Sequence, residues 1–265
     1  MPSANPFLQI TAEFNAGRLR SIICSGQAVV LHRLAMMSKD GDWIVRENEE
    51  DMAHLRAVLG RHGARYRYGA PLDPRWLAGG WSAHLEFRTA DSLRVRTDFF
   101  SRPPRLSASQ LEALWQEQEG AEIPFVGLRD LALMKMTQRE KDYPIIGELV
   151  RRLPEVPEQL RFSRSARDLI HLAREHPRET VREELARPLL ALAIAGDRDR
   201  LAEALDAERR RLMEADATRL AGYHQAAAHW AAVWPNVEPR MGALPLDEAH
   251  AMMCETAMEH LPFAP

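Results

Sequence analysis

Apolar and polar positions follow two different periods along this chain, and the change of period divides it. Up to about residue 150, short runs of period two stand between helical runs. Pro6 to Ala16 reads as a helix closed by Gly17. Ser21 to Cys24 is a short apolar strand, Ser25 to Leu34 a helix, and Asp42 to Val45 the next strand. Asn48 stands where it caps a helix over Glu49 to Arg61. Met52, Leu55, Val58 and Leu59 fall on one side of that helix, and Gly63 ends it. Arg65 to Tyr68 reads as a strand, and Gly69 to Gly80, with its two prolines and three glycines, as a loop. Trp81 to Arg88 alternates, with Trp81, Ala83, Leu85 and Phe87 on one side. Asp91-Ser92 signals a turn, and Leu93 to Phe100 returns as the second arm of a hairpin. In that arm Leu93, Val95 and Thr97 share one face, and Arg94, Arg96 and Asp98 the other. Ser107-x-x-Gln110 is a capping box for a helix through Leu111, Leu114 and Trp115. Ile123 to Val126 reads as a strand, and Leu128 to Gln138 and Asp142 to Leu153 as helices.

Leu153-Pro154-Glu155-Val156-Pro157 marks a boundary, and beyond it no stretch reads as a strand. Residues 165–174, 178–194, 198–220, 223–234 and 247–260 all carry the helical pattern. The expected architecture is α+β: a small mixed sheet flanked by helices over residues 1–153, then an all-helical domain over 154–265.

Composition narrows the partners. The 265 residues carry a formal charge of -3, so no global field points to nucleic acid or membrane. The longest apolar run, Leu189 to Ala195, is far too short to span a bilayer, and the N-terminus has neither a basic region nor a long apolar one, unlike a signal peptide. Cys24 and Cys254 lack metal-type spacing, which leaves a reduced, cytoplasmic protein as the expectation. His250 and Cys254, i and i+4 behind Asp247, read as ordinary helix positions. Residues 151–220 hold 15 arginines against 14 acidic residues, a surface laced with ion pairs. Of 35 basic residues only three are lysine: Lys39, Lys135 and Lys141. Lysine supplies a compact, rotatable ammonium where arginine supplies a planar fork, and Lys39 stands directly before an aspartate pair.

That pair is the centre of the candidate chemistry. Asp40 and Asp42, separated by Gly41, point to one face of a strand, about 7 Å apart along the backbone. Upstream, Ser25-Gly26 follows an apolar strand and opens a helix, where backbone N–H groups can hold phosphate. Asp98, on a neighbouring strand, would complete a triad of carboxylates able to hold magnesium against a nucleotide. Asp-Gly-Asp also reads as a simple turn, Ser25 as a helix cap, and Asp98 as a surface aspartate paired with Arg94 or Arg96.

The order Ser25-Gly26, thirteen intervening residues and Asp40-Gly41-Asp42 resembles the nucleotidyltransferase-fold superfamily, the DNA polymerase β-like proteins. Within it, Leu128-Arg-Asp-Leu-Ala-Leu-Met-Lys135 followed by Arg139-Glu-Lys141-Asp142 is similar to the AbiEii toxin-type branch. The resemblance covers about residues 20–153 and implies a nucleotidyltransferase-like sheet. It further implies Asp40, Asp42 and Asp98 as metal ligands, with Asp98 also the base for the acceptor hydroxyl. Ser25, Gly26 and Lys39 would meet the phosphates, and Lys135 or Lys141 would neutralise phosphate or pair with the metal carboxylates. The implied reaction moves a nucleoside monophosphate from a nucleoside triphosphate to a hydroxyl with Mg2+ as cofactor. The acceptor would be RNA, protein or a small molecule, and a cognate antitoxin the partner; no membrane is involved. The chain departs from the family pattern at three places. Cys24 and Ser25 stand where the turn usually begins with glycine, Gly41 where an apolar residue is usual, and Ile145 where a second aspartate often follows. A catalytically silent binding or regulatory module of the same fold is the alternative reading.

Overall fold

The computed structural model describes residues 5–265. The fold class is α+β: among the described residues, one five-stranded mixed sheet is joined by fourteen α-helices. The chain forms two compact units, one extending to Val126 and resuming over Ala221–Pro265, the other Gly127–Leu220.

The first unit opens with α1 (Pro6–Phe14), started by the Asn5 side chain accepting from the Phe7 N–H. Then come β1 (Ser21–Cys24), α2 (Ser25–Leu31), β2 (Asp40–Val45), α3 (Glu49–Arg61) and β3 (Arg65–Tyr66). They are followed by α4 (Pro74–Leu77), β4 (Ala83–Arg88), β5 (Arg94–Phe100) and α5 (Ala108–Glu117). The sheet order is β1-β2-β5-β4-β3; β2 and β5 run parallel and the other pairs antiparallel. Period-two burial in β4 and β5 gives the sheet one apolar and one polar face. On the apolar face the Trp43 ring stacks on Phe99 at 5.5 Å, and Phe14 of α1 meets both edge-on. The Trp43 indole N–H donates to Thr11 Oγ1 at 2.9 Å, so the largest core side chain is also satisfied. Met52, Leu55, Val58 and Leu59 bury the expected side of α3.

The second unit contains α6 (Leu128–Met134), a 3₁₀ turn (Glu140–Asp142), α7 (Tyr143–Arg151) and α8 (Val156–Phe162). It continues through α9 (Ala166–Glu175), α10 (Pro177–Glu184), α11 (Leu190–Ala195) and most of α12 (Arg198–Ala226). Leu160, Leu169, Leu190 and Leu201 lie at the centre of its core. Arg187 is buried, with its guanidinium donating to the Leu160 and Ser163 carbonyls and to Glu208. Ion pairs such as Arg151–Asp168 and Arg209–Glu140 cover the outside. The last two helices, α13 (Ala228–Met241) and α14 (Leu246–His260), belong to the first unit.

Several elements differ from their sequence-based expectation. β2 starts at Asp40, two residues earlier than expected, so both aspartates are strand residues. The expected loop 69–80 contains α4, because Asp73 caps it and Pro74 sits at its first position. Ile123–Val126 contributes one bridge, Ile23 with Phe125, and no strand. The expected helix 178–194 is two helices, since Pro188 withholds an N–H and disfavours helical backbone at Arg187. Conversely, α13 continues past Pro235 and Pro239, held by buried Trp230, Trp234, Val237 and Met241. No compact-unit boundary falls at residue 153. The units divide after Val126 and again after Leu220, and residues 221–265 pack with the first unit: Trp230 donates to the Gly69 carbonyl and Trp76 to that of Leu261.

Candidate functional site

The polar face of the sheet collects the charged residues. Register pairs Cys24 with Asp42, Asp42 with Asp98, and Asp98 with His84, one row across four adjacent strands. Paired residues of neighbouring strands project to the same face, so Asp42 and Asp98 stand side by side. Asp40, two residues before Asp42, joins that face opposite Arg96. The alternation of half-exposed and buried residues agrees: Asp40, Asp42, His84, Arg96 and Asp98 are half-exposed, while Trp43, Thr97 and Phe99 are buried.

The phosphate-type turn lies against the first aspartate. Ser25 adopts φ +50, a left-handed conformation that costs an L-residue about 1–2 kcal/mol. A Cβ at Gly26 would meet Ser38 Oγ at 2.3 Å, so only glycine fits without moving Ser38. Ser38 in turn donates to the Asp40 carbonyl at 3.1 Å. Buried Gln27 donates to the carbonyls of Ser38 at 3.1 Å and Asp40 at 3.4 Å, which fixes the start of β2 beside the turn. Lys39, Asp40, Arg94 and Arg96 line a cavity of about 680 Å³ whose other side is apolar, with Met36, Met37 and Phe7. Asp42 and Asp98 do not line it.

Basic side chains stand beside Asp98 and Asp40. Asp98 Oδ1 accepts from Arg67 at 3.1 Å and lies 2.8 Å from His84 Nδ1. Both contacts fall on Oδ1; among the described residues Oδ2 has no hydrogen-bond partner. Arg96 stands 3.7 Å from Asp40 Oδ1, a buried atom without a hydrogen bond. Such an orphaned carboxylate oxygen, on a face shared with two more carboxylates, fits a cation site. The three aspartates are nonetheless not gathered to ligand distance. Among the described residues, the trio whose ligand atoms all lie within 4.8 Å of one another is Asp73, His250 and Cys254.

Gly41 has a packing reason. A Cβ there would meet the Trp43 ring at 2.3 Å and Phe7 at 2.6 Å. The indole of Trp43 lies over the glycine and fills the space an apolar side chain would take.

Lys135 and Lys141 belong to the second unit. Lys135 pairs with Asp142 at 3.6 Å, so the two ends of the Lys135…Asp142 motif meet, while Lys141 is exposed. The residues that sequence reasoning did not single out are Gln27, Arg67 and His84. The alternation of the two arms places His84 on the same face as Asp98, so that much was readable; the register that sets them opposite comes from the turn closing Thr89 on Leu93. Gln27 and Arg67 carried none.

No family model matches the chain, and no curated protein is significantly similar to it. Among solved structures, the chain resembles a Helicobacter pylori protein provisionally described as a nucleotidyltransferase. Identity is 11% and the TM-score 0.39, over 80% of this chain and 94% of that one. It also resembles JHP933 from Helicobacter pylori, with 9% identity and a TM-score of 0.37 over 82% of this chain and 93% of that one. At this level of likeness, the functional reading rests on the residues themselves.

Proposed function

We propose that this chain is a nucleotidyltransferase that moves a nucleoside monophosphate from a nucleoside triphosphate to a hydroxyl. The observation that carries the reading is the register of β2 on β5, with Asp42 beside Asp98, Asp40 two residues along, and the Ser25-Gly26 turn against the strand. Asp40 and Asp42, with Asp98, are the residues that would hold magnesium, which when bound neutralises phosphate charge and lowers the barrier to hydroxyl attack. Ser25, the Gly26 N–H and Lys39 receive the phosphates, with Arg96 and Arg94 on the same cavity wall. The acceptor oxygen bonds to the α-phosphorus as the bond to the bridging oxygen breaks, and pyrophosphate leaves. The acceptor proton passes to Asp98 Oδ2, while Arg67 and His84 on Oδ1 hold the carboxylate in position. The acceptor class is RNA, protein or a small molecule, and an AbiEii-like toxin role with an antitoxin partner is the finer form of this proposal.

Calorimetric titration with ATP, CTP, GTP and UTP in the presence of magnesium tests the reading. One nucleotide binds in a magnesium-dependent manner, and Asp42→Ala abolishes it. Absence of binding by all four sinks the enzymatic reading. The second reading, a silent module, is favoured by the cations that already occupy Asp98 and face Asp40. It predicts no nucleotide-dependent heat and a loss of stability on Arg67→Ala.

A further inference from the structure

A second polar cluster lies elsewhere in the first unit. His250 and Cys254 are one helical turn apart on α14 and so share a face. Asp73, the cap of α4, comes to them from a distant part of the sequence. Cys254 Sγ is 3.5 Å from His250 Nε2 and 3.7 Å from Asp73 Oδ2. Zinc–sulfur, zinc–nitrogen and zinc–oxygen bonds at the tetrahedral angle set ligand atoms about 3.6 Å apart. We infer that Asp73 Oδ2, His250 Nε2 and Cys254 Sγ form a site for a borderline-soft divalent metal of the zinc class, with the fourth position open to solvent.

The surroundings are those of an oriented ligand set. His250 Nδ1 lies 2.8 Å from the Tyr66 hydroxyl, and the two rings stack. That contact occupies Nδ1, as an outer-shell partner does for a metal-bound histidine, and leaves Nε2 as the ring nitrogen available to a metal. Arg75 holds Asp73, Nε to Oδ1 at 2.9 Å and Nη2 to Oδ2 at 2.8 Å, and so fixes the carboxylate plane. The remaining lone pair of Oδ2 is directed toward Cys254. Metal binding would exchange the thiol proton for the metal, leaving thiolate and carboxylate charges to balance a dication. The ion would fasten α14 to the cap of α4. Because the ligands are separate from Asp40, Asp42 and Asp98, the site stands or falls independently of nucleotide transfer.

The test is titration of the chelator-stripped full chain with Co2+, followed by zinc displacement. One equivalent gives a thiolate-to-cobalt charge-transfer band and tetrahedral visible bands, which zinc removes. Cys254→Ser loses the charge-transfer band, Tyr66→Phe weakens affinity about 10-fold, and Cys24→Ala and Asp42→Ala keep the full signal. Circular dichroism establishes that each variant is folded. Zinc raises the unfolding temperature of the parent and not of Cys254→Ser. The inference is overturned if no charge-transfer band forms with excess Co2+, leaving the trio a thiol hydrogen-bonded to a carboxylate. It is equally overturned if the band survives in Cys254→Ser.

Discussion

Replacing Ser25 by glycine separates what the turn costs from what it does. At φ +50 the serine backbone carries a left-handed penalty of about 1–2 kcal/mol that glycine avoids. Glycine gives back part of that gain, roughly 0.5–1 kcal/mol, through the greater freedom of its unfolded chain. Taken between the midpoints of the two ranges, the balance is a stabilisation of about 0.75 kcal/mol. Among the described residues the Ser25 hydroxyl makes no hydrogen bond, so its removal deducts nothing from the folded state. For a protein of this size the gain corresponds to an increase in unfolding temperature of roughly 1–4 °C. Urea unfolding followed by circular dichroism measures it, with Ser25→Ala as the control. Alanine keeps the left-handed penalty and gains nothing.

If the hydroxyl meets a phosphate oxygen, Ser25→Gly also loses a charge-assisted hydrogen bond of about 1.5 kcal/mol, close to 10-fold in nucleotide affinity. The expected variant is more stable and a poorer binder, which is how strain held at a functional site behaves. A glycine variant that is no more stable than the parent would refute the backbone argument. One that is more stable and binds nucleotide as well as the parent would remove the hydroxyl from the site.

Gly41→Val restores the usual apolar residue between the aspartates yet destabilises by at least about 1–3 kcal/mol, because its Cβ would stand 2.3 Å from the Trp43 ring; adding Trp43→Leu in a double-mutant cycle recovers part of the loss. Trp43→Ala alone costs about 3–5 kcal/mol in chemical denaturation, since the fully buried indole packs on Phe14 and Phe99. Asp98→Asn retains magnesium-dependent nucleotide binding but loses transfer to the acceptor, which separates a base from an essential ligand in paired titration and turnover assays. Burial alone would raise the Glu208 carboxyl, but the hydrogen bonds and charges of Arg187 and Arg164 outweigh it and hold it below its ordinary 4.5. The stabilisation is therefore present above about that pH and is lost as pH falls through the lower folded value, so Glu208→Gln flattens the acid limb of a melting-temperature profile.

The strands and their faces were legible because they follow from period-two burial. The hairpin about Asp91-Ser92 and the placement of Asp98 on the polar face needed no information beyond the alternation of β4 and β5. What could not be read was set by contacts far apart in sequence. Arg67 reaches Asp98 across 31 residues, and Asp73 reaches Cys254 across 181. The same holds for the units: the helical period of α13 and α14 says that they are helices but not which core their buried faces complete. Pro188 was readable and breaks the helix as its chemistry requires. Pro235 and Pro239 obey the same chemistry, but the tryptophans buried beside them override it.

Ser25 in the turn and Gly41 in the strand have opposite physical characters. Gly41 has a local compensation. The volume absent from residue 41 is supplied by the Trp43 ring folded back over it, with Phe7 alongside, so the strand is packed and β2 keeps its register with β5 through Ile44. A glycine that weakens a strand in isolation therefore leaves the carboxylate row intact, and Gly41 is no mark of a decayed site. Ser25 has no such compensation, since a left-handed serine is strained whatever surrounds it. Charge sharpens the contrast. Arg67 and His84 meet Asp98 at Oδ1, and Arg96 faces Asp40, so positive charge already stands on this face before any dication arrives. Binding a dication and a triphosphate together brings positive charge to the aspartates and negative charge to Arg96 and Lys39, and either partner alone leaves one set of groups uncompensated. Magnesium and nucleotide are thus expected to bind with positive coupling, each raising the other's affinity by the same factor.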